Sequence, residues 1–353
     1  QVNTTHNSFN QQISQMPSAL LFGLHPDDIS SVVLSLGGTT QHVRHVCRYL
    51  YRSSVWGFDQ MDDVPKWLRA ELAVRYQLGV AVPVSFSLSA DATVKYLFAI
   101  DGKGDVEAAY MPGAKRNTLC VSTQIGCRMG CSFCMTGTIG FKGNLSASHI
   151  LNQLRSIPQR SLVNRLVFMG MGEPLDNWDE VKRALSILTS NMGFAFGAAN
   201  ITLSTVGLQH VLSDFLANPP CNLAISLHSP FPDERFGIMP IERSNPIAQT
   251  IEAIKQNPLP KPLRVSFEYV ALGGVNTTPS HAKALGELLS GLRTHINIIP
   301  WNQHENAAYS TPHSNELQSF IEALNRSGVI ASVRESRGKD IAAACGQMAG
   351  RGK

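Results

Sequence analysis

No apolar run in the chain approaches the roughly 20 residues a helix needs to cross a bilayer. From Gln1 onward there is no charged stretch followed by an apolar one, so the start does not read as an export signal. These two absences predict a protein that is neither membrane-spanning nor secreted. It is expected in the cytoplasm, or in an organelle where a transit peptide preceded Gln1. No repeat of fixed period and no low-complexity tract interrupts the 353 residues, which predicts one large domain with one or two smaller companions rather than a solenoid. An excess of one charge is also missing: the net charge of +4 permits a polyanionic partner without requiring one. A disulfide framework is absent as well. Of the seven cysteines, three crowd a single loop, while Cys47, Cys120, Cys221 and Cys345 are scattered. That usage fits a reducing compartment and a metal site.

The first stretch, to about Val80, reads as helical. Pro26-Asp27-Asp28-Ile29 opens one apolar-periodic run and Pro65-Lys66-Trp67-Leu68 another. Basic and aromatic residues alternate from Arg44 to Arg52, and residues 1–90 are expected to form a helical accessory domain. Thr93–Ile100 and Val106–Met111 flank Asp101-Gly102-Lys103-Gly104-Asp105, a turn composition that predicts a β-hairpin linker within residues 91–115.

From Thr118 onward, short β-branched runs alternate with helix-length segments, the pattern of successive βα units on a parallel sheet. Strands are predicted at Leu119–Ser122, Leu166–Met169, Ile201–Ser204, Leu223–Leu227, Val265–Val270 and Ile296–Ile299, with a further one at Ile330–Arg334. Six such units give an α/β fold, a partial (β/α)6 barrel over residues 116–335, with a C-terminal loop from 336 to 353. Ligands collect at the carboxyl ends of parallel strands. There the chain places the cysteine loop, Gly170-Met171-Gly172-Glu173-Pro174, Ser204-Thr205, Ser226-Leu227-His228 and Trp301-Asn302. Glu268-Tyr269 is either core or site.

The loop Gly126-Cys127-Arg128-Met129-Gly130-Cys131-Ser132-Phe133-Cys134 spaces three thiolates as Cys-x3-Cys-x2-Cys. Glycines let its backbone wrap a cluster. Three local ligands leave one iron of a 4Fe-4S cluster open to the amino and carboxylate groups of S-adenosylmethionine. A structural zinc site would want a fourth Cys or His nearby, and His149 falls in a helical stretch.

At these residues the sequence resembles the radical S-adenosylmethionine superfamily, and within it the RlmN/Cfr family of RNA adenine methyltransferases. The resemblance rests also on Leu203-Ser204-Thr205, on Ile299-Pro300-Trp301-Asn302 and on Asp340-Ile341-Ala342-Ala343-Ala344-Cys345-Gly346-Gln347. It implies a 4Fe-4S cluster on Cys127, Cys131 and Cys134. It implies S-adenosylmethionine contacts from Gly172, Glu173, Ser204, Ser226, Leu227, His228 and Asn302.

The same resemblance implies that Cys345 carries a methyl group whose radical adds to the base. Cys120 then resolves the covalent adduct through a Cys120–Cys345 disulfide, and Glu107 takes a proton. Taken without the resemblance, Cys120 reads as a small core residue and Glu107 as a solvent-facing strand residue. Cys47 and Cys221 read as structural. The implied substrate is an adenosine of large-subunit rRNA, with tRNA as a second one, methylated at C2. Methylation at C8, and a small-molecule substrate for the same radical fold, stay as alternatives. An electron donor of the flavodoxin or ferredoxin kind is implied as a partner. RNA contacts are expected from Arg44, Arg48, Tyr49 and Arg52, and from Arg334, Arg337, Lys339, Arg351 and Lys353.

Overall fold

The computed structural model describes residues 19–100, 102–304 and 309–350. Its N-terminal part is a helical module bracketed by β1 (Ala19–Leu20) and β2 (Tyr76–Gln77), which pair in parallel. Helix α1 (Pro26–Ser35) begins on Pro26, whose missing N–H would have had no helical partner there. Helix α2 (Thr40–Arg52) is held by a reciprocal cap between Thr39 and His42. Val43, Val46, Cys47, Leu50 and Tyr51 recur at helical spacing and form its buried stripe. Helix α3 (Lys66–Arg75) follows Pro65.

Three antiparallel strands come next, β3 (Ser85–Leu88), β4 (Val94–Ile100) and β5 (Gly104–Met111). Strand β5 pairs antiparallel with β6 (Thr118–Cys120), so residues 91–115 belong to the main sheet and do not form a separate linker. A small clip of β7 (Gln124–Ile125) and β8 (Gly143–Asn144) encloses the cysteine loop and the short α4 (Met135–Thr138). Then α5 (Ala147–Arg155) leads to β9 (Arg165–Phe168), and α6 (Trp178–Thr189) to β10 (Ile201–Thr205). Helix α7 (Gln209–Ala217) leads to β11 (Asn222–Ser226). Helices α8 (Pro232–Ile238) and α9 (Ile247–Gln256) lead to β12 (Val265–Ala271), α10 (Pro279–Leu288) to β13 (Ile296–Pro300), and α11 (Ser314–Arg326) to β14 (Ala331–Val333).

Among the described residues ten of the fourteen strands form one sheet ordered β14-β13-β12-β11-β10-β9-β6-β5-β4-β3, parallel from β6 to β14. Among the described residues β14 and β3 do not pair, so the barrel stays open. The six predicted strands and the further one are present, with ends moved by one or two residues. Strand β6 ends early because the Ser122 backbone bonds the Gln153 side chain of α5 at both its N–H (2.8 Å) and its carbonyl (2.9 Å), leaving nothing for the ladder.

Helix α5 is buried on all sides, covered by the sheet and by the helical module. Arg155, 1% exposed, satisfies the carbonyls of Leu50 (2.8 Å) and Val55 (2.7 Å) and ties the module to the barrel. On the same helix, Ser148 lies so near Gly23 (φ 95°) that a Cβ there would sit 2.6 Å away; only glycine allows the contact.

Candidate functional site

The cysteine loop leaves β7 through Gly126 at φ 72°, where a Cβ would fall 1.7 Å from the Gly140 carbonyl oxygen. The loop is pinned from the far side of the barrel: the Ser132 N–H donates to Ile238 O (2.9 Å) and Trp301 Nε1–H to Phe133 O (3.1 Å). Cys127, Cys131 and Cys134 thereby face one cavity of about 150 Å³. Burial pushes the Cys127 thiol up to about 12 and Cys131 well above its ordinary value. Both therefore hold their protons until a positively charged group takes the sulfur.

The ends of consecutive strands converge on that cavity, which is why the sheet must curl. Gly172, Glu173, Ser204, Ser226, His228 and Asn302 all line it. The Glu173 carboxylate is 4% exposed and accepts the N–H groups of Leu175 (3.1 Å) and Val206 (3.0 Å) and the Thr205 hydroxyl. Burial raises its pKa to about 7 against those bonds. His228 adopts a left-handed backbone (φ 59°), and its Nδ1 accepts the Val270 N–H at 2.9 Å. A backbone N–H can only donate, so the ring proton sits on Nε2. Burial lowers the His228 pKa to about 3, which keeps the ring neutral. Asn302 gives its Nδ2–H to Cys345 O (3.2 Å), while its buried Oδ1 has no hydrogen-bond partner among the described residues.

Leu227 does not belong to this set. Its side chain is fully buried and its backbone is spent on the Glu268 carbonyl and on Arg235, so it supports the strand end and does not line the cavity. Behind it, Arg235 pairs with Glu242 in full burial and bonds the carbonyls of Leu227 and Ser226.

A second cavity of about 110 Å³ adjoins the first and is lined by Cys120, Arg334 and Cys345. Cys134, Met169 and Cys345 line both cavities. Cys345 thus stands in the shared wall, with its surface open to the cavities. Burial raises its thiol pKa while the charge of Arg334 pulls it down. Cys120 is raised to about 12 by burial and by the nearness of Cys345. The segment bearing Cys345 is laced to the barrel: the Met135 N–H donates to Gly346 O (2.7 Å), and Thr136 donates to Met348 O (2.7 Å).

Glu107 is not solvent-facing: it is 1% exposed, shares a sheet face with Cys120, and pairs with Lys95 Nζ at 2.9 Å. Its second oxygen accepts the Ala349 N–H (2.9 Å), and it lines neither cavity. Cys47 and Cys221 are core residues whose burial raises both thiols to about 12.

Several cations expected to meet RNA are already engaged. Arg52 bonds Gly193 O (2.8 Å) and Asn191 O, Arg48 pairs with Asp63, which also bonds Tyr49, and Arg337 pairs with Asp91 (3.0 Å). Arg334 pairs with Glu268 (3.2 Å) inside the barrel. Arg351 and Lys353 lie outside the described residues. Sequence reading left Glu268 undecided and passed over Lys95; a lone lysine inside an apolar strand was its only signal. Glu268 lines the first cavity, whereas Tyr269 is core.

An open parallel barrel with a three-thiol loop at its strand ends is the design of the radical SAM superfamily, and a model of that superfamily matches residues 121–279. A probable dual-specificity RNA methyltransferase RlmN of Bacteroides fragilis is 41% identical over 333 residues, 94% of this chain and 97% of that protein. The dual-specificity RNA methyltransferase RlmN of Syntrophobacter fumaroxidans is 38% identical over 325 residues, 91% of this chain and 95% of that one. The crystal structure of a radical SAM methyltransferase from Sphaerobacter thermophilus superposes with a TM-score of 0.89 at 36% identity, covering 94% of this chain and 100% of that one. The chain belongs to the RlmN family.

Its cofactors are a 4Fe-4S cluster and S-adenosylmethionine, and the residues present fit both. Three thiols share a cavity wall, although among the described residues no three ligands close on a single ion. The unpartnered Asn302 Oδ1 asks for a donor, and the raised Glu173 carboxyl would ionise beside an ammonium.

Proposed function

We propose that the protein methylates an adenosine of large-subunit rRNA, and of tRNA, at C2, with Cys345 as methyl carrier, Cys120 as resolving thiol and Glu107 as proton acceptor. The observation that carries this reading is the position of Cys345 in the wall between two cavities, one ringed by Cys127, Cys131 and Cys134, the other holding Cys120. A carrier must meet a methyl source on one side and a substrate on the other. When bound on Cys127, Cys131 and Cys134, the cluster with S-adenosylmethionine supplies the methyl group and the radical that activates it.

Gly172, Glu173, Ser204, Ser226, His228 and Asn302 hold S-adenosylmethionine in this reading, Glu173 by accepting from its ammonium. Leu227 contributes only through the strand end it anchors. The carbon bound to the Cys345 sulfur joins the base, Glu107 takes the ring proton, and Cys120 attacks the Cys345 sulfur. The odd electron that the addition leaves on the base returns to the one-electron carrier, the bridging carbon stays on the base and takes a proton to become the methyl group, and a Cys120–Cys345 disulfide remains, which a dithiol must reopen. An electron donor of the flavodoxin or ferredoxin class supplies single electrons. Arg44, on the exposed side of α2 without a partner among the described residues, supports the helical module as an RNA-facing surface.

Mass spectrometry of rRNA and tRNA tests this, after incubation with anaerobically reconstituted protein, S-adenosylmethionine and a reductant. Methyladenine that appears with wild type and not with Cys345→Ala is the expected result, and its isomer separates C2 from C8. Deoxyadenosine formation with both RNAs unmodified would overturn the RNA assignment and favour a small-molecule substrate.

A further inference from the structure

We infer that Arg334 grips the target base, donating from its guanidinium to a ring nitrogen next to the carbon that is methylated; this rests on the adenine reading above. Arg334 follows β14 and lines the cavity with Cys120 and Cys345. One corner of its fork is fixed. Nη1 donates to Glu268 Oε2 (3.2 Å) and lies 3.6 Å from the Met169 sulfur. Glu268, 3% exposed, is itself held through Oε1 by Asn297 Nδ2 (2.7 Å). Nε and Nη2 have no acceptor among the described residues. A guanidinium carries five N–H donors and no acceptor, so the free edge calls for an acceptor entering the cavity.

The neighbouring carboxylate decides which acceptor. Glu268 neutralises the guanidinium, so the pair attracts a phosphate weakly while its remaining N–H groups stay good donors to an uncharged atom. Of the groups an adenine offers beside C2, only N1 and N3 accept. Donation there draws electron density from the adjacent carbon at the moment the carbon radical adds, and it holds the ring edge toward Cys345. Arg334 is therefore a substrate-contacting residue anchored by Glu268.

The test is a pairwise cycle. Wild type, Arg334→Lys and Arg334→Met are assayed for kcat/KM and Kd on RNA carrying adenosine, 1-deazaadenosine or 3-deazaadenosine at the target position, with cluster content checked by absorbance. Arg334→Met is expected to lower kcat/KM about 10- to 100-fold on adenosine RNA. The loss should shrink below about threefold on the one analogue lacking the contacted nitrogen, because that contact is already gone. Where an analogue turns over too slowly, the same coupling is read from Kd. An equal loss on all three RNAs would make Arg334 merely structural and overturn the inference while the function stands. Failure of wild type on adenosine RNA would take both down.

Discussion

Cys120 on the inner face of β6 and Cys345 in the C-terminal segment open into the same cavity, and only Cys345 also reaches the cavity of Cys127, Cys131 and Cys134. No two of the seven cysteines are bonded to each other. The two thiols are thus positioned for exchange without being bonded, and their asymmetry separates their roles. A thiol open to both chambers can load and deliver, whereas one open to the second can only release.

That asymmetry predicts opposite phenotypes. Cys120→Ala should still load Cys345 and join it to RNA, so a covalent protein–RNA species accumulates on a denaturing gel and turnover stops after one event or fewer. Cys345→Ala should give no such species. An adduct formed by Cys345→Ala, or none by Cys120→Ala, would refute the assignment.

His228 should make stability acid-sensitive. Its unfolded form takes a proton below about 6.5, whereas burial holds the folded form neutral down to about 3. The unfolded state therefore binds more protons between those values, and stability falls as pH falls through that window, by about 1.4 kcal/mol per pH unit from this group. Asn tolerates the left-handed backbone and offers an acceptor to the Val270 N–H. Urea unfolding of wild type and His228→Asn from pH 7 to 4 should show the steeper decline in wild type; parallel curves would contradict the neutral, buried ring.

Glu242→Gln should destabilise the apo-protein by about 3–5 kcal/mol, because it strands the fully buried Arg235 charge that braces the Ser226–His228 strand end. Denaturant melts measure the cost. Arg235→Met should cost less when combined with Glu242→Gln than the two costs summed, since the pair is lost only once.

Period and spacing made the parallel strands, the cysteine loop and the polar strand ends legible in the sequence. Those signals are local: β-branched runs, glycines, thiols a few residues apart. What escaped was set by partners far along the chain. Strand β3 shows alternation, yet Phe86 and Leu88 face solvent on a sheet edge, the reverse of the usual pattern. Leu227 sits inside a site motif but serves its backbone. Arg334 and Arg337 read as a basic run because nothing nearby in sequence reveals Glu268 and Asp91, which consume their charges. The anchoring of the Cys345 segment, with Asp340 receiving the Ala90 N–H (3.0 Å) and Asp91 the Gly338 N–H (2.9 Å), is likewise a long-range matter.

Glu107 and Lys95 hold the two ends of that segment: Lys95 Nζ reaches Ala342 O (3.4 Å) and Glu107 accepts from Ala349, on either side of Cys345. A positioning role and a proton-accepting role for Glu107 predict different results. Both Glu107→Gln and Lys95→Met should lower stability, by about 3–5 kcal/mol each, since either leaves a buried partner uncompensated. Only the carboxylate can take a proton, so release of deuterium from RNA bearing 2-deuteroadenosine should fall about 100- to 10,000-fold in Glu107→Gln and far less in Lys95→Met. If both variants release deuterium at similar rates, Glu107 only clamps the segment, and the proton leaves by another group.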